Sequence, residues 1–156
     1  MTREEIIRFI IEKKITISFA ESCTGGALAS AFVKVPGASE VFNGSFVVYS
    51  PFFKEKYLGV KEETINQKGV VSKEVAEEMA EGLAKETGVF LSISVTGNCG
   101  PSKGDLKAPL GRVYVCLLYN GLKDTFELNL KGSREENIES VVDFVFDAAF
   151  DTLNNL

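Results

Sequence analysis

The stretch Ile15-Thr16-Ile17-Ser18-Phe19-Ala20-Glu21-Ser22-Cys23-Thr24-Gly25-Gly26 decides how the rest of the chain is read. From Ile15 to Ala20, apolar and small polar residues alternate with β-branched types in front, which predicts a short strand. Hydroxyls and two glycines follow, and then the small-residue run Ala27-Leu28-Ala29-Ser30-Ala31-Phe32, which suits a helix packed close to a sheet. A strand that turns directly into a helix sets polar side chains and free N–H groups at the helix N-terminus. Such a terminus can hold an anion or a developing oxyanion. The competing reading is local: Ser22 or Thr24 caps the helix, and Gly25 and Gly26 permit a tight turn.

Working outward, residues 2–13 carry Ile6, Ile7, Phe9, Ile10 and Ile11 against charged neighbours, the pattern of an amphipathic helix. The small-residue helix at 24–33 ends at Val35-Pro36-Gly37-Ala38-Ser39. Residues 46–50 predict a second strand; Pro51 starts a brief helix over 52–57, and Glu62 opens another short piece stopped by Lys68-Gly69. Ser72 caps a helix that runs to about Thr87 and ends at Gly88. Residues 89–95 are nearly all apolar, as in a strand covered on both faces. A Gly-rich polar loop over 96–104 comes next. The strands 111–119 and 123–130 are joined by a tight Asn120-Gly121 turn, and an amphipathic helix over 135–153 closes the chain. The order αβαβααβββα predicts an α/β fold: a three-layer α/β/α sandwich with a mixed central sheet, in a single domain spanning 1–156. Ligands in such folds sit beyond the carboxyl ends of parallel strands. The loops 21–26, 49–54 and 96–104 are therefore expected to meet at one edge.

Composition narrows the chemistry. A chain of 156 residues with 45 % apolar and 25 % charged residues matches an ordinary soluble globule. Its net charge of −5 and lack of a basic tract argue against nucleic acid as a partner. No apolar run approaches the ~20 residues that span a bilayer, so no membrane association is expected. The opening residues begin an amphipathic helix rather than a signal peptide. Cys23, Cys99 and Cys116 are odd in number and form no CxxC, which reads as reduced thiols in a cytoplasmic protein. There are no histidines, so neither a Ser-His-Asp or Cys-His arrangement nor a histidine-based zinc site can form within the chain. A general base must be a carboxylate, Lys, Tyr or Cys.

The simplest hydrolytic pair that remains is serine with lysine, whose amine serves as base once burial or a nearby cation depresses its pKa. The candidate serines are Ser22, Ser39 and Ser50, and the candidate base is Lys54. Ser50 and Lys54 stand one helical turn apart, although a Ser-Pro at a helix start is commonly an N-cap. On spacing alone Lys54 reads as a solvated helix lysine, with Lys56 and Lys61 as neighbours. Tyr49 is either a stacking wall of a pocket or a strand core residue. Glu21 can orient a lysine. Thr96, Gly97 and Gly100 can cradle a phosphate, but the P-loop pattern is absent. Cys23 is an alternative nucleophile that would need activation by Lys54 or a helix dipole.

Seven segments in order carry a resemblance: Ala20-Glu21-Ser22-Cys23-Thr24-Gly25-Gly26, Val35-Pro36-Gly37-Ala38-Ser39, Tyr49-Ser50 with Lys54, Leu58-Gly59-Val60, Gly69-Val70-Val71-Ser72, Thr96-Gly97 with Gly100-Pro101, and Pro109-Leu110-Gly111. From about residue 4 to the last helix the chain resembles the CinA C-terminal domain family, which includes the stand-alone nicotinamide mononucleotide (NMN) deamidases. The resemblance implies hydrolysis of the NMN carboxamide to nicotinate mononucleotide and ammonia by a Ser/Lys mechanism without metal or cofactor, in a protein that is often a homo-oligomer. Carried onto matching positions, Lys54 is the base and the nucleophile is Ser22 or Ser39. Ser22 is preferred because a helix N-terminus beside it would stabilise an oxyanion. Tyr49 completes the catalytic candidates. The expected substrate-binding set is Glu21, Thr24, Gly25, Gly26, Thr96, Gly97, Gly100 and Arg134.

The chain departs from the family at Asn98-Cys99, where the pattern usually reads Ile-Ala. It departs again at Gly132-Ser133-Arg134, where the pattern is Gly-Asp-Arg, and at Ile138, where a second arginine often stands. If that arginine holds phosphate, Arg134, Arg112 or Lys103 would have to replace it. The alternatives are a nucleotide-binding or interaction domain whose site has drifted, and an amidase for another small amide. The chain lacks the larger N-terminal domain of full-length CinA, so a pyrophosphatase activity of that domain is not expected.

Overall fold

A computed structural model of the chain describes residues 1–102, 105 and 107–156. At its centre is β1 (Ile17–Glu21), buried at every position. Helix α1 (Arg3–Glu12) precedes it, started by a Thr2–Glu5 capping box. After β1 come α2 (Ala27–Val33), a 3₁₀ turn at Ala38–Glu40, the two-residue β2 (Phe46–Val47), α3 (Pro51–Leu58), α4 (Glu62–Lys68) and α5 (Lys73–Thr87). The chain ends with β3 (Leu91–Gly97), β4 (Arg112–Tyr119), β5 (Leu122–Asn129) and α6 (Arg134–Asn154).

The five strands form one sheet in the order β2-β1-β3-β4-β5. β1 pairs in parallel with both β2 and β3, and β4 and β5 add antiparallel to β3. The sheet is mixed, as expected, with helices on both faces. The strand period of two sorts the side chains. Ile17 and Phe19 of β1, Leu91, Ile93 and Val95 of β3, and Val113, Val115 and Leu117 of β4 point to the layer of α1, α2 and α6. Phe19, Phe32 and Phe146 pack together there with ring centroids 6.0–6.4 Å apart, Phe19 edge-on to the other two.

The opposite face is lined by small residues. Ser92 and Ser94 of β3 donate to the carbonyls of Ala80 and Ala76, at 2.7 and 2.5 Å. These bonds satisfy buried hydroxyls and let α5 lie close on the sheet. Gly82 continues the close packing on the outer side of α5, where a Cβ would stand 1.8 Å from the carbonyl oxygen of Leu58 in α3. Only a glycine admits that approach, and α3 is the helix that carries Lys54.

Several local expectations hold. Ser72 caps α5 and Gly88 ends it in the left-handed region; Asn120 and Gly121, both at positive φ, make the tight turn between β4 and β5. Among the described residues, no helix is long and apolar enough to cross a membrane. The second strand is shorter than the expected 46–50: the Val48 amide still donates to the Glu21 carbonyl at 2.8 Å, but the carbonyls of Val48 and Tyr49 turn to a side chain described below.

Candidate active site

The chain leaves β1 for β2 by way of α2 on one face, and leaves β2 for β3 by way of α5 on the other. Such a reversal opens a crevice at the carboxyl ends of the parallel strands. Here the crevice is a cavity of about 260 Å³. Ser22 and Cys23 from the loop after β1, Tyr49 and Lys54 around the start of α3, and Thr96 to Cys99 from the end of β3 line it, with Arg134 at the rim. The meeting of the three loops expected from the sequence is therefore observed.

Lys54 and Ser22 face each other in this cavity. The Lys54 amine lies 2.9 Å from Ser22 Oγ, 2.8 Å from the Val48 carbonyl oxygen and 3.2 Å from that of Tyr49. Lys54 is only 1 % exposed, and burial lowers its pKa from 10.5 to about 8, partly opposed by the Cys23 sulfur. Two N–H bonds to the carbonyls leave the neutral amine one lone pair, and Ser22 sits where that lone pair can accept the hydroxyl proton.

The seating of Lys54 reverses the usual helix pattern. In α3 the aromatic residues Phe52, Phe53 and Tyr57 are 63 %, 42 % and 40 % exposed, while the lysine turns inward with Leu58 one turn later. The reading of Lys54 as a solvated lysine is thus overturned. Ser50 is a cap: its Oγ accepts from the Phe53 amide at 3.1 Å, so it is not the partner of Lys54.

Ser39 does not meet Lys54. It is exposed in the middle of the 3₁₀ turn and borders a separate surface hollow formed by Val33, Pro36 and Phe42. The Val-Pro-Gly turn sets it beyond the C-terminal end of α2 whereas Ser22 precedes that helix, and Ser22 is the serine that lies against the amine.

Glu21 and Thr24 also differ from expectation. The fully buried Glu21 carboxylate accepts from the Thr24 hydroxyl (2.7 Å) and from the amides of Gly26, Leu28 and Ala29 (3.1, 2.9 and 2.9 Å). Among the described residues it bonds no lysine. It closes the first turn of α2 from within, and that turn's N–H groups are no longer available to an oxyanion. Glu21, Thr24, Gly25 and Gly26 lie behind the cavity wall, shaping the turn that presents Ser22. Gly25 and Gly26, at φ +59° and +105°, supply its left-handed conformations. The amides of Ser22, Cys23 and Thr24 make no backbone hydrogen bond among the described residues, and they are the donors nearest Ser22 in the chain.

Thr96 and Gly97 line the cavity as expected. The Thr96 hydroxyl is held by the Val70 carbonyl at 2.9 Å. Gly97 is required by packing, since a Cβ there would meet Val113 Cγ2 at 2.5 Å. Gly100 stands outside this cavity and offers its carbonyl to Arg134, which also donates to the Tyr49 hydroxyl at 2.8 Å. Tyr49 is thus a rim residue whose backbone, rather than its phenol, touches the lysine. Arg112 is engaged elsewhere by Asn129 and Glu127, and Lys103 lies outside the described residues.

Three features were not legible beforehand. The carbonyls of Val48 and Tyr49 hold the Lys54 amine, and no sequence pattern marks them. Asn98 bonds Asp105 through both its carbonyl and amide groups, while Asp105 accepts the Val71 amide at 2.9 Å, tying the loop after β3 to the approach to α5. Cys99 is buried against Cys23. Asn98 and Cys99 had stood out only as departures from a pattern.

Comparisons with known proteins agree with this architecture. The profile of the CinA C-terminal domain matches residues 1–153. A relative from Alkaliphilus oremlandii bearing a competence-damage inducible name is 52 % identical over 132 residues, covering 84 % of this chain and 32 % of its own length. A CinA-like protein from Dictyoglomus turgidum is 44 % identical over 131 residues, again with 84 % and 32 % coverage. The chain thus spans about a third of the length of these curated relatives. Among solved structures, a competence/damage inducible protein from Agrobacterium tumefaciens superposes with a TM-score of 0.89 at 32 % identity, covering 96 % of this chain and 95 % of its own. A CinA superfamily protein from Escherichia coli gives 0.88 at 29 % identity, with 94 % and 87 % coverage. With a family profile running through nearly every element of the sandwich, the chain belongs to the CinA C-terminal domain family.

Proposed function

We propose that the chain hydrolyses the carboxamide of nicotinamide mononucleotide to nicotinate mononucleotide and ammonia, with Ser22 as nucleophile and Lys54 as general base and acid. The observation that carries this reading is the buried amine 2.9 Å from Ser22 Oγ with its pKa near 8. The step order follows from proton balance. Neutral Lys54 takes the Ser22 proton as Oγ attacks the carboxamide carbon, and the carbonyl becomes an oxyanion facing the turn amides. The Lys54 ammonium then protonates the departing nitrogen, ammonia leaves, and an ester remains on Ser22. Water attacks that ester while Lys54 takes its proton; Ser22 Oγ recovers a proton from Lys54 as the carboxylate departs. Arg134 lines the cavity mouth, which supports giving it the substrate phosphate in this reading.

Ammonia release from a panel of NMN, nicotinamide, nicotinamide riboside and glutamine tests the substrate class. The proposal expects NMN to be hydrolysed most efficiently. Faster release from an amide without phosphate would replace it with a different amidase, and NMN binding without release would leave a binding domain.

A further inference from the structure

Two of the three thiols have a feature that the amide chemistry leaves unused. Cys23 follows Ser22 directly, and Cys99 lies two residues beyond the end of β3, the strand paired with β1. Both are nearly covered, at 5 % and 2 % exposure, yet both border the cavity that opens at Tyr49 and Arg134. Their side chains share one buried cluster and one stretch of cavity wall, each acting on the other's titration. Neighbouring sulfurs at the floor of an open cavity can be reached by a small oxidant and need close only to about 2.05 Å to join. Cys116 makes a built-in comparison: it faces the α5 layer with Ala76 and Ala80, and burial pushes its thiol up to about 11.

We infer that Cys23 and Cys99 form a redox-responsive modification site, joined to a disulfide by hydroperoxides and reopened by thiols. The contact assigns the roles. Arg134, bonded to the carbonyl of Gly100 next in the chain, stands on the Cys99 side of the pair, and the Cys99 thiol is held below its ordinary pKa by its Cys23 neighbour and by this guanidinium. Cys99 is the thiol assigned to supply the thiolate. Its sulfur attacks one peroxide oxygen; an S–O bond forms, the O–O bond breaks, and the leaving hydroxide takes a proton to become water. The Cys23 sulfur loses its proton and attacks the resulting sulfenic sulfur; the S–S bond forms, the S–O bond breaks, and a second water leaves. Two thiols give up two electrons to one peroxide. The new bond ties the Ser22 turn to the loop that Asn98 organises.

Hydrogen peroxide added to the full chain, followed by intact mass and non-reducing peptide mapping, tests the inference without reference to amide turnover. The expected result is a loss of about 2 Da, a linked Cys23–Cys99 peptide, a still alkylatable Cys116, and full reversal by dithiothreitol. Cys99→Ala should abolish the 2 Da loss, and Cys99→Ser, which keeps a polar partner of similar size, should do the same if the alanine variant folds poorly. Three outcomes would overturn it: both thiols remaining alkylatable after peroxide, oxygen addition at Cys99 with no link, or a link that involves Cys116.

Discussion

If Lys54 is the base, amide hydrolysis must follow the neutral fraction of its amine. The perturbation is pH, and the amine's pKa near 8 sets the magnitude. About 1 % of the amine is neutral at pH 6 and about half at pH 8, so kcat/KM should rise about 50-fold between them and level off above pH 9. The same shift acts on stability with a definite sign. The folded pKa is lower than the ordinary 10.5, so below pH 8 the fold carries a buried ammonium that the unfolded chain does not. That disfavours folding by about 3 kcal/mol at neutral pH, and the penalty is relieved between pH 8 and 10.5 as the unfolded chain holds the extra proton. The assay is ammonia release under kcat/KM conditions from pH 6 to 9.5, with urea melts at the same pH values. A flat rate profile, or one that falls as pH rises, would refute the assignment of Lys54 as base.

Other perturbations separate packing from chemistry. Gly82→Ala should destabilise the fold by about 1–3 kcal/mol in urea unfolding and reduce turnover in the folded fraction, because the new methyl must push α3 and its lysine away from α5. Glu21→Gln places an amide N–H₂ among four donors and should lower stability by about 2 kcal/mol, read as a shift of the thermal midpoint. Arg134→Ala removes the rim cation; KM for NMN should rise by about tenfold or more with kcat changed far less, and an unchanged KM would place phosphate recognition elsewhere.

The amphipathic helices and the covered β3 follow from periodicity, and the caps and the β4–β5 turn from residues with one physical role, so the sandwich was legible in the sequence. Ser22 was legible as a candidate because a strand running into Ser-Cys-Thr-Gly-Gly and a helix sets it at a strand end, although the same pattern also fits a capped helix start and left Ser39 in contention. Lys54 was a candidate only through the absence of histidine and the motif around it. Its own helix, with Phe52, Phe53 and Tyr57 turned to solvent, argues for the opposite orientation, and burial became plain only when the Val48 and Tyr49 carbonyls were seen to receive the amine. Glu21 was misread for a related reason: a carboxylate beside the Ser22 turn has two uses, and only the donors around it reveal that it serves α2. Ser39 sits in a matched motif, but its distance from Lys54 depends on how the Val-Pro-Gly turn leaves α2, which no local pattern encodes.

The most direct test of the Ser22–Lys54 couple is ammonia release from NMN by four folded proteins: the unaltered chain, Ser22→Ala, Lys54→Ala and Ser39→Ala. The account predicts turnover by the unaltered chain and by Ser39→Ala at the same rate, with a loss of about 10³-fold or more in each of the other two. Full activity in Ser22→Ala or in Lys54→Ala, or its loss in Ser39→Ala, would contradict it.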